Sequence, residues 1–379
     1  MSGPPERPGG AADAARPRVL HVSQPVEAGV AVVVHQLAAD QVAAGWEVAV
    51  ACPPGGPLAG WVAAAGARHL PWPATRQPGP STARETAHLR RLLRAWRPDL
   101  LHLHSSKAGL AGRLAARGRV TTVYQPHAWS FEAVGGAVRR AATAWERAAT
   151  RWTDAVACVS EAERATGEAH GVRARWLLLR NGVDTGRFRP ATAAERAAAR
   201  RALGLTAPLV VVCVGRLAEQ KGQDVLLEAW ARLGPPPGAV LVLVGDGPER
   251  DRLARAAGPG VVLAGPRDDV RPHYAAADLV VQPSRWEGAS LTALEALASG
   301  LPLVTTDVAG SREAVAPGCG AVVPPGDAGA LAAALRTRLD DAALREAEGA
   351  AARAAAVADW DLRGVLAANR VTLEQVLRE

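Results

Sequence analysis

An α/β protein of two Rossmann-like domains, with parallel sheets facing across a cleft, is the fold this sequence predicts. Strand-like and helix-like stretches alternate along the chain, as a parallel sheet requires. They do so in two separate series, joined by a turn-rich stretch at Asn181-Gly182-Val183-Asp184 and Pro190. At 379 residues and 49% apolar content, the chain suits two domains that each bury a core of their own.

In chain order, residues 1–16 are rich in Pro, Gly and Ala and predict a disordered leader without the apolar stretch of a signal peptide. Arg18 to Ser23 reads as the first strand, Ala28-Gly29 as a turn leading into a helix through Leu37, and Trp46 to Cys52 as the next strand. Thr82 to Arg94 is an arginine-rich helix, Asp99 to His104 a buried strand, Lys107 to Ala116 a helix and Val120 to Gln125 a strand. The second series runs from the strand Leu209–Val214 through the helix Asp224–Arg232 and the strand Val240–Val244 to a helix after Pro248. Strands at Val261–Ala264, Leu279–Gln282 and Leu303–Thr305 complete it. The expected division is a first domain over 17–187, a second over 188–360, and a last helix in 361–379 that packs back on the first domain.

Charge is unevenly spread. Residues 1–190 hold 24 Lys+Arg against 14 Asp+Glu, and the remainder 20 against 23, so the positive field belongs to the first half. Nucleic-acid binding would use such a field, but no zinc-finger, aromatic RNA-binding or helix-turn-helix pattern accompanies it, and no nucleic-acid partner is expected. An anionic membrane surface fits better. Val138, Ala141, Ala144, Trp145, Ala148 and Trp152 recur at helical spacing, flanked by Arg139, Arg140, Arg147 and Arg151. Packing of that stripe against the core is the alternative. The four cysteines are widely separated and predict buried free thiols rather than disulfides or a zinc site. No apolar run long enough to span a bilayer occurs, and a cytoplasmic protein, with peripheral contact at the inner face of the membrane, is expected.

The chemistry-bearing residues follow strand ends, where open α/β sheets bind their ligands. Gly215, Arg216 and Lys221-Gly222 come after one strand, Gly245-Asp246-Gly247 after the next, and Pro283-Ser284 with Glu287-Gly288 after a third. Two cations five residues apart in a strand-to-helix loop can neutralise a diphosphate, or can be solvated surface charges. A helix starting near Ser290 and Leu291 would offer free N–H groups to a phosphate and carry Glu295 on its second turn. Lys107 and Lys221 are the only lysines among 44 basic residues, which singles them out in a chain that otherwise uses arginine.

In their order these pieces resemble the retaining glycosyltransferases of family four, which have the GT-B fold. The resemblance rests on Gly215-Arg216-Leu217 with Lys221-Gly222, Val244-Gly245-Asp246-Gly247-Pro248, Ala277-Asp278-Leu279, and Pro283-Ser284 with Glu287-Gly288 through Glu295. His102, His104, His127 and Asn181-Gly182-Val183-Asp184 extend it more loosely into the first half. It implies that Arg216 and Lys221 hold the donor diphosphate, Glu295 the ribose, and Glu287 the donor sugar, with Ser290, Leu291, Gly245, Gly215 and Gly29 lining the donor site. It implies that His127 touches the transferring sugar. The family often has two adjacent glycines where this chain has Ala28-Gly29. The run His104-Ser105-Ser106-Lys107-Ala108-Gly109 looks like members that build cell-surface polysaccharides, although a helix cap by Ser105 or Ser106 would explain the serines alone.

The expected activity is therefore transfer of a hexose from a nucleotide-diphosphate sugar, with uridine as the base the family suggests, to a lipid-linked or polysaccharide acceptor. No cofactor and no metal are expected. The one Asp-x-Asp pattern, Asp359-Trp360-Asp361, lies between helices and reads as capping. A nucleotide-sugar epimerase would share the cleft. A nicotinamide-type oxidoreductase is disfavoured by Arg250 where the third fingerprint glycine belongs.

Overall fold

The computed structural model describes residues 16–234 and 237–379; the expected leader lies, but for Arg16, outside the described residues. Seven strands form the first sheet: β1 (Arg18–Ser23), β2 (Glu47–Cys52), β3 (Arg68–Pro71), β4 (Leu100–His104), β5 (Thr121–Gln125), β6 (Ala155–Cys158) and β7 (Trp176–Leu178). Six form the second: β8 (Leu209–Val214), β9 (Ala239–Val244), β10 (Val261–Gly265), β11 (Leu279–Gln282), β12 (Leu303–Thr306) and β13 (Gly320–Val323). Spatial order is β3-β2-β1-β4-β5-β6-β7 in one and β10-β9-β8-β11-β12-β13 in the other, and every paired strand is parallel. Continuous apolar runs such as Leu209-Val-Val-Val-Cys-Val214 suit this, because helices cover both faces of a parallel sheet. Four hydrophobic clusters result, one on each face of each sheet.

Order reverses between β1 and β4 in the first sheet and between β8 and β11 in the second, which opens a crevice at each point. Loops of the two halves meet beside these crevices, those after β6 and β7 touching the one after β11. Ser160 Oγ donates to Gly288 O at 3.3 Å, and Asn181 Nδ2 to Ala289 O at 2.9 Å. The last helix, Leu362–Arg378, returns to the first sheet: Leu373 and Val376 are buried with Val34 and Ala38, and Arg370 pairs with Asp40 at 2.8 Å. Among the described residues no helix is long and apolar enough to cross a membrane.

Two local expectations are corrected. The helix expected from Lys107 spans Ser105–Ala116; its N-cap is His104, no side chain caps it, and Ser105 stands at φ 69°. The serines therefore do not cap. Lys107 is instead buried against Glu85 at 2.6 Å, with its ammonium also donating to Gln77 O at 3.0 Å. The stripe from Val138 packs inward only through its tryptophans, Trp145 and Trp152, which are partly buried with ring centroids 6.2 Å apart and Arg113 5.4 Å over Trp145. Helix Gly136–Ala149 buries Glu146 and Ala149, leaves Val138 62% exposed with Ala141, Ala144 and Ala148, and ties itself down through Arg113 and Glu146 at 2.8 Å.

Ala28, where the family often has glycine, stands at φ 60°. A Cβ in the left-handed region is strained, so Ala28→Gly is expected to stabilise the fold by about 1 kcal/mol, read as a higher denaturation midpoint. An unchanged or lower midpoint would show that the strain is relieved elsewhere.

Candidate functional site

β8 is followed by Gly215, and the chain passes Arg216 into a short 3-10 turn, Glu219–Lys221, before Gly222 opens the helix Gln223–Leu233. Gly222 has φ 64°, and a Cβ there would stand 2.0 Å from Pro283 O. Glycine is thus required, because only its bare Cα lets this loop lie against the loop after β11. That contact sets the centre of the site. Lys221 Nζ donates to Glu287 Oε1, and Ser284 Oγ donates to the same oxygen at 2.7 Å. The pair is largely buried, with side chains 20% and 10% exposed, and the lysine stem runs past Gly215.

Lys221 was expected as a free cation for a diphosphate; it is held by Glu287. Arg216 is the exposed cation of the loop and has no ion pair among the described residues. Partial burial, then Arg76, lower its pKa, while Glu27 opposes them, so Arg216 feels charges from the opposite half of the molecule. Gly245 after β9 lies so close that a Cβ there would be 2.1 Å from Gly215 O.

Helix Leu291–Ala298 begins beside this centre. Its N-cap, Ser290, makes no side-chain cap, its hydroxyl being shared with Thr292 Oγ1 at 2.9 Å and with Gln282. The first-turn N–H groups at Leu291 are thereby left for a ligand. Glu295 is reached by Tyr274 Oη at 3.1 Å, and burial raises its pKa to about 7, against the lowering effect of that hydroxyl. Gly29, expected at the donor, faces Leu291: a Cβ on it would meet Leu291 Cδ1 at 3.9 Å, an ordinary contact. The backbone there does not demand glycine.

Asp278 of the Ala277-Asp278-Leu279 motif is structural. It takes Arg196 and Arg200 at 2.7 and 2.6 Å and accepts Val210 N at 2.7 Å, fixing the entry to β8. Asp361 of the Asp-x-Asp pattern caps the last helix, accepting Arg363 N at 3.1 Å.

Across the cleft, His127 and Ala128 stand at φ 57° and 99°. Two successive L-residues in the left-handed region persist only where the surroundings hold them. Glu163 does so, accepting Ala128 N at 2.6 Å and Val159 N at 2.8 Å; burial pushes its own pKa up to about 7. Gly288 lies against this bend, where a Cβ would be 2.9 Å from Ala128 N.

Sequence reasoning missed what stands behind His127. Gln41, His21, His104 and His127 form one hydrogen-bonded row, and His102 lies against His104, tilted, with ring centroids 4.1 Å apart. The spacing of His102 and His104, two apart on a strand, put both on one face; that His21 joins them needed the β1–β4 register, His21 opposite His102. His21, His102 and His104 bring ring nitrogens within 4.8 Å of one another, but His21 and His104 direct theirs at each other, 2.9 Å apart.

Residues 208–341 match the family described as Glycosyl transferases group 1, and residues 28–182 the Glycosyl transferase 4-like domain. A glycogen synthase of Mycobacterium tuberculosis is 31% identical over 73% of this chain and 68% of its own length. A GDP-mannose-dependent monoacylated alpha-(1-6)-phosphatidylinositol monomannoside mannosyltransferase of Corynebacterium glutamicum is 36% identical over 51% of this chain; the match spans only about half of that relative, 54%. The crystal structure of Anabaena HepE in complex with UDP and glucose superposes with a TM-score of 0.83 over 95% of this chain and 100% of its own, at 23% identity.

Proposed function

The chain belongs to the glycosyltransferases of family four, with the GT-B fold, and from that membership we propose that it is a retaining, metal-independent hexosyltransferase. Its substrates are a nucleoside-diphosphate sugar and a hydroxyl of a lipid-linked or polysaccharide acceptor. One observation carries the reading: Arg216, the Lys221–Glu287 pair and the start of helix Leu291–Ala298 converge opposite His127. Lys221 stays on Glu287 and also meets the β-phosphate, Arg216 takes the second phosphate, and the helix start adds dipole and N–H donors as charge develops on the leaving group. Glu287 orients the donor sugar, and Glu295 accepts the ribose hydroxyls. With no separate carboxylate nucleophile assigned, the acceptor attacks the face that the phosphate leaves, and the leaving phosphate takes the acceptor's proton.

Uridine is the base suggested by the family resemblance, and GDP-mannose is in the name of the corynebacterial relative, so a nucleotide-release screen with UDP-sugars and GDP-mannose decides the donor. That relative's name also carries a monoacylated phosphatidylinositol monomannoside. A lipid-linked acceptor fits the exposed apolar stripe of helix Gly136–Ala149 with Arg139, Arg140 and Arg147, which would lie on the inner face of an anionic membrane.

NMR of the product is expected to show the donor's anomeric configuration, and turnover is expected to survive excess EDTA. An inverted product overturns retention, and loss restored by magnesium or manganese overturns the assignment of Arg216 and Lys221. Free epimerised nucleotide sugar, formed without acceptor, would make the protein an epimerase.

The two glutamates should separate in kinetics. Glu295→Gln is expected to raise donor KM, and Glu287→Gln to lower kcat. Because Glu295 titrates near 7, donor KM of the parent should fall as pH rises from 6 to 8, and Glu295→Gln should flatten that trend. The same raised pKa means that the folded state binds the proton more tightly between about 4.5 and 7, so this group's contribution to stability declines as pH rises across that window. Exchanged kinetic effects would overturn the two roles.

A further inference from the structure

The row behind His127 has a direction. Gln41 sits in helix Ala28–Ala43, 1% exposed, and its Oε1 lies 2.7 Å from His21 Nε2. His21 Nδ1 lies 2.9 Å from His104 Nε2, and His104 Nδ1 lies 3.0 Å from His127 Nε2. An amide oxygen can only accept. With the Gln41 oxygen turned to His21 and the Gln41 Nε2 left without a partner, His21 Nε2 carries its proton, which leaves His21 Nδ1 to accept from His104 Nε2. By the same step His104 Nδ1 accepts from His127 Nε2.

All of these rings are neutral. Burial lowers the pKa of His21 to about 4 and of His127 to about 3, and holds His104 well below the usual value. Each neutral ring has one N–H, so one end of the row dictates every tautomer along it. His127 is the only partly exposed member, with Nε2 engaged inside, and Nδ1 is the nitrogen left for a ligand.

We propose that Gln41, His21 and His104 are positioning residues that fix His127 as its Nε2–H tautomer, so that Nδ1 meets the cleft as a hydrogen-bond acceptor for a sugar hydroxyl. His127 is then neither an acid nor a cation. It selects a group that has a hydrogen to give and disfavours an acceptor-only group, such as a carboxylate, at the same place. That the group is a sugar hydroxyl rests on the glycosyl-transfer reading; the tautomer does not.

The test starts on the parent protein without substrate. Nitrogen NMR of histidine-labelled chain, with His127 assigned by the loss of its signals in His127→Gln, is expected to show His127 neutral, protonated on Nε2 and bare on Nδ1. A His127 protonated on Nδ1, or on both nitrogens, overturns the proposal whatever the enzyme transfers. Elemental analysis is the second arm: a stoichiometric bound metal, with the facing nitrogens of His21 and His104 both bare, overturns it too. Gln41→Met removes the fixed acceptor, and His127 should then show mixed tautomers, with kcat falling about five- to tenfold at little change in donor KM. Gln41→Leu, likewise without an acceptor, should mix the tautomers and lower kcat in the same way. Mixed tautomers with unchanged kcat leave the row a purely structural one and overturn the positioning role, as does a pure Nε2–H tautomer in Gln41→Met.

Discussion

Lys221→Ala is expected to lower kcat/KM by about 2 to 4 kcal/mol, the scale of one preorganised electrostatic partner lost from a transition state. The ammonium has a position no other group can take: its stem passes Gly215, and its tip is fixed on Glu287, which Ser284 holds from the other side. Lys221→Arg keeps the charge but brings a planar fork into a slot shaped for a compact ammonium, and should also lose activity. Glu287 is only 8% exposed, so Lys221→Ala leaves a buried carboxylate unpaired and should also reduce stability by about 1 to 3 kcal/mol. Adding Glu287→Gln should recover the stability without the activity. Parent-like turnover by Lys221→Arg would defeat the geometric argument, and parent-like turnover by Lys221→Ala the diphosphate assignment.

Gly222→Ala should inactivate comparably by another route. At φ 64° an alanine costs about 1 to 2 kcal/mol in backbone conformation alone, and its Cβ, 2.0 Å from Pro283 O, forces the two loops apart. Lys221 and Glu287 lie on opposite sides of that seam, so their pair should break with it. Gly29→Ala is the control: its Cβ meets only Leu291 Cδ1, at 3.9 Å, and the unliganded fold should not change. Equal thermal midpoints and activities for Gly222→Ala and the parent would show that the loops yield without consequence.

These residues were legible in the sequence because the motifs sit at strand ends, and strands announce themselves by continuous apolar runs. Leu279–Gln282 falls where its pattern places it, and Leu209–Val214 does too. What the sequence hid was relational. A lone Lys221 reads as a cation for phosphate, since nothing local says that Glu287, 66 residues on, comes back to it. The histidine row was hidden for the same reason: β1 lies beside β4 only through the sheet order, and Gln41 joins from the helix covering that face. Serines at 105 and 106 suggested a cap by composition, whereas a positive φ at Ser105 starts the helix without one. The stripe at Val138–Trp152 has the period of a buried helix face, but Arg113 and Glu146 anchor the helix at one edge of it, covering Trp145 and leaving Val138 and the alanines exposed.

The return of helix Leu362–Arg378 also bears on how the molecule is made. Leu373 and Val376 complete a core whose other members, among them Ala31, Val34 and Ala38, come from the start of the chain. During synthesis those early residues emerge first and must wait, one face uncovered, through the translation of some three hundred more. The cores of the second sheet draw on no residue after Trp360. The core of the first sheet is therefore closed by residues later in the chain than any that the cores of the second sheet use.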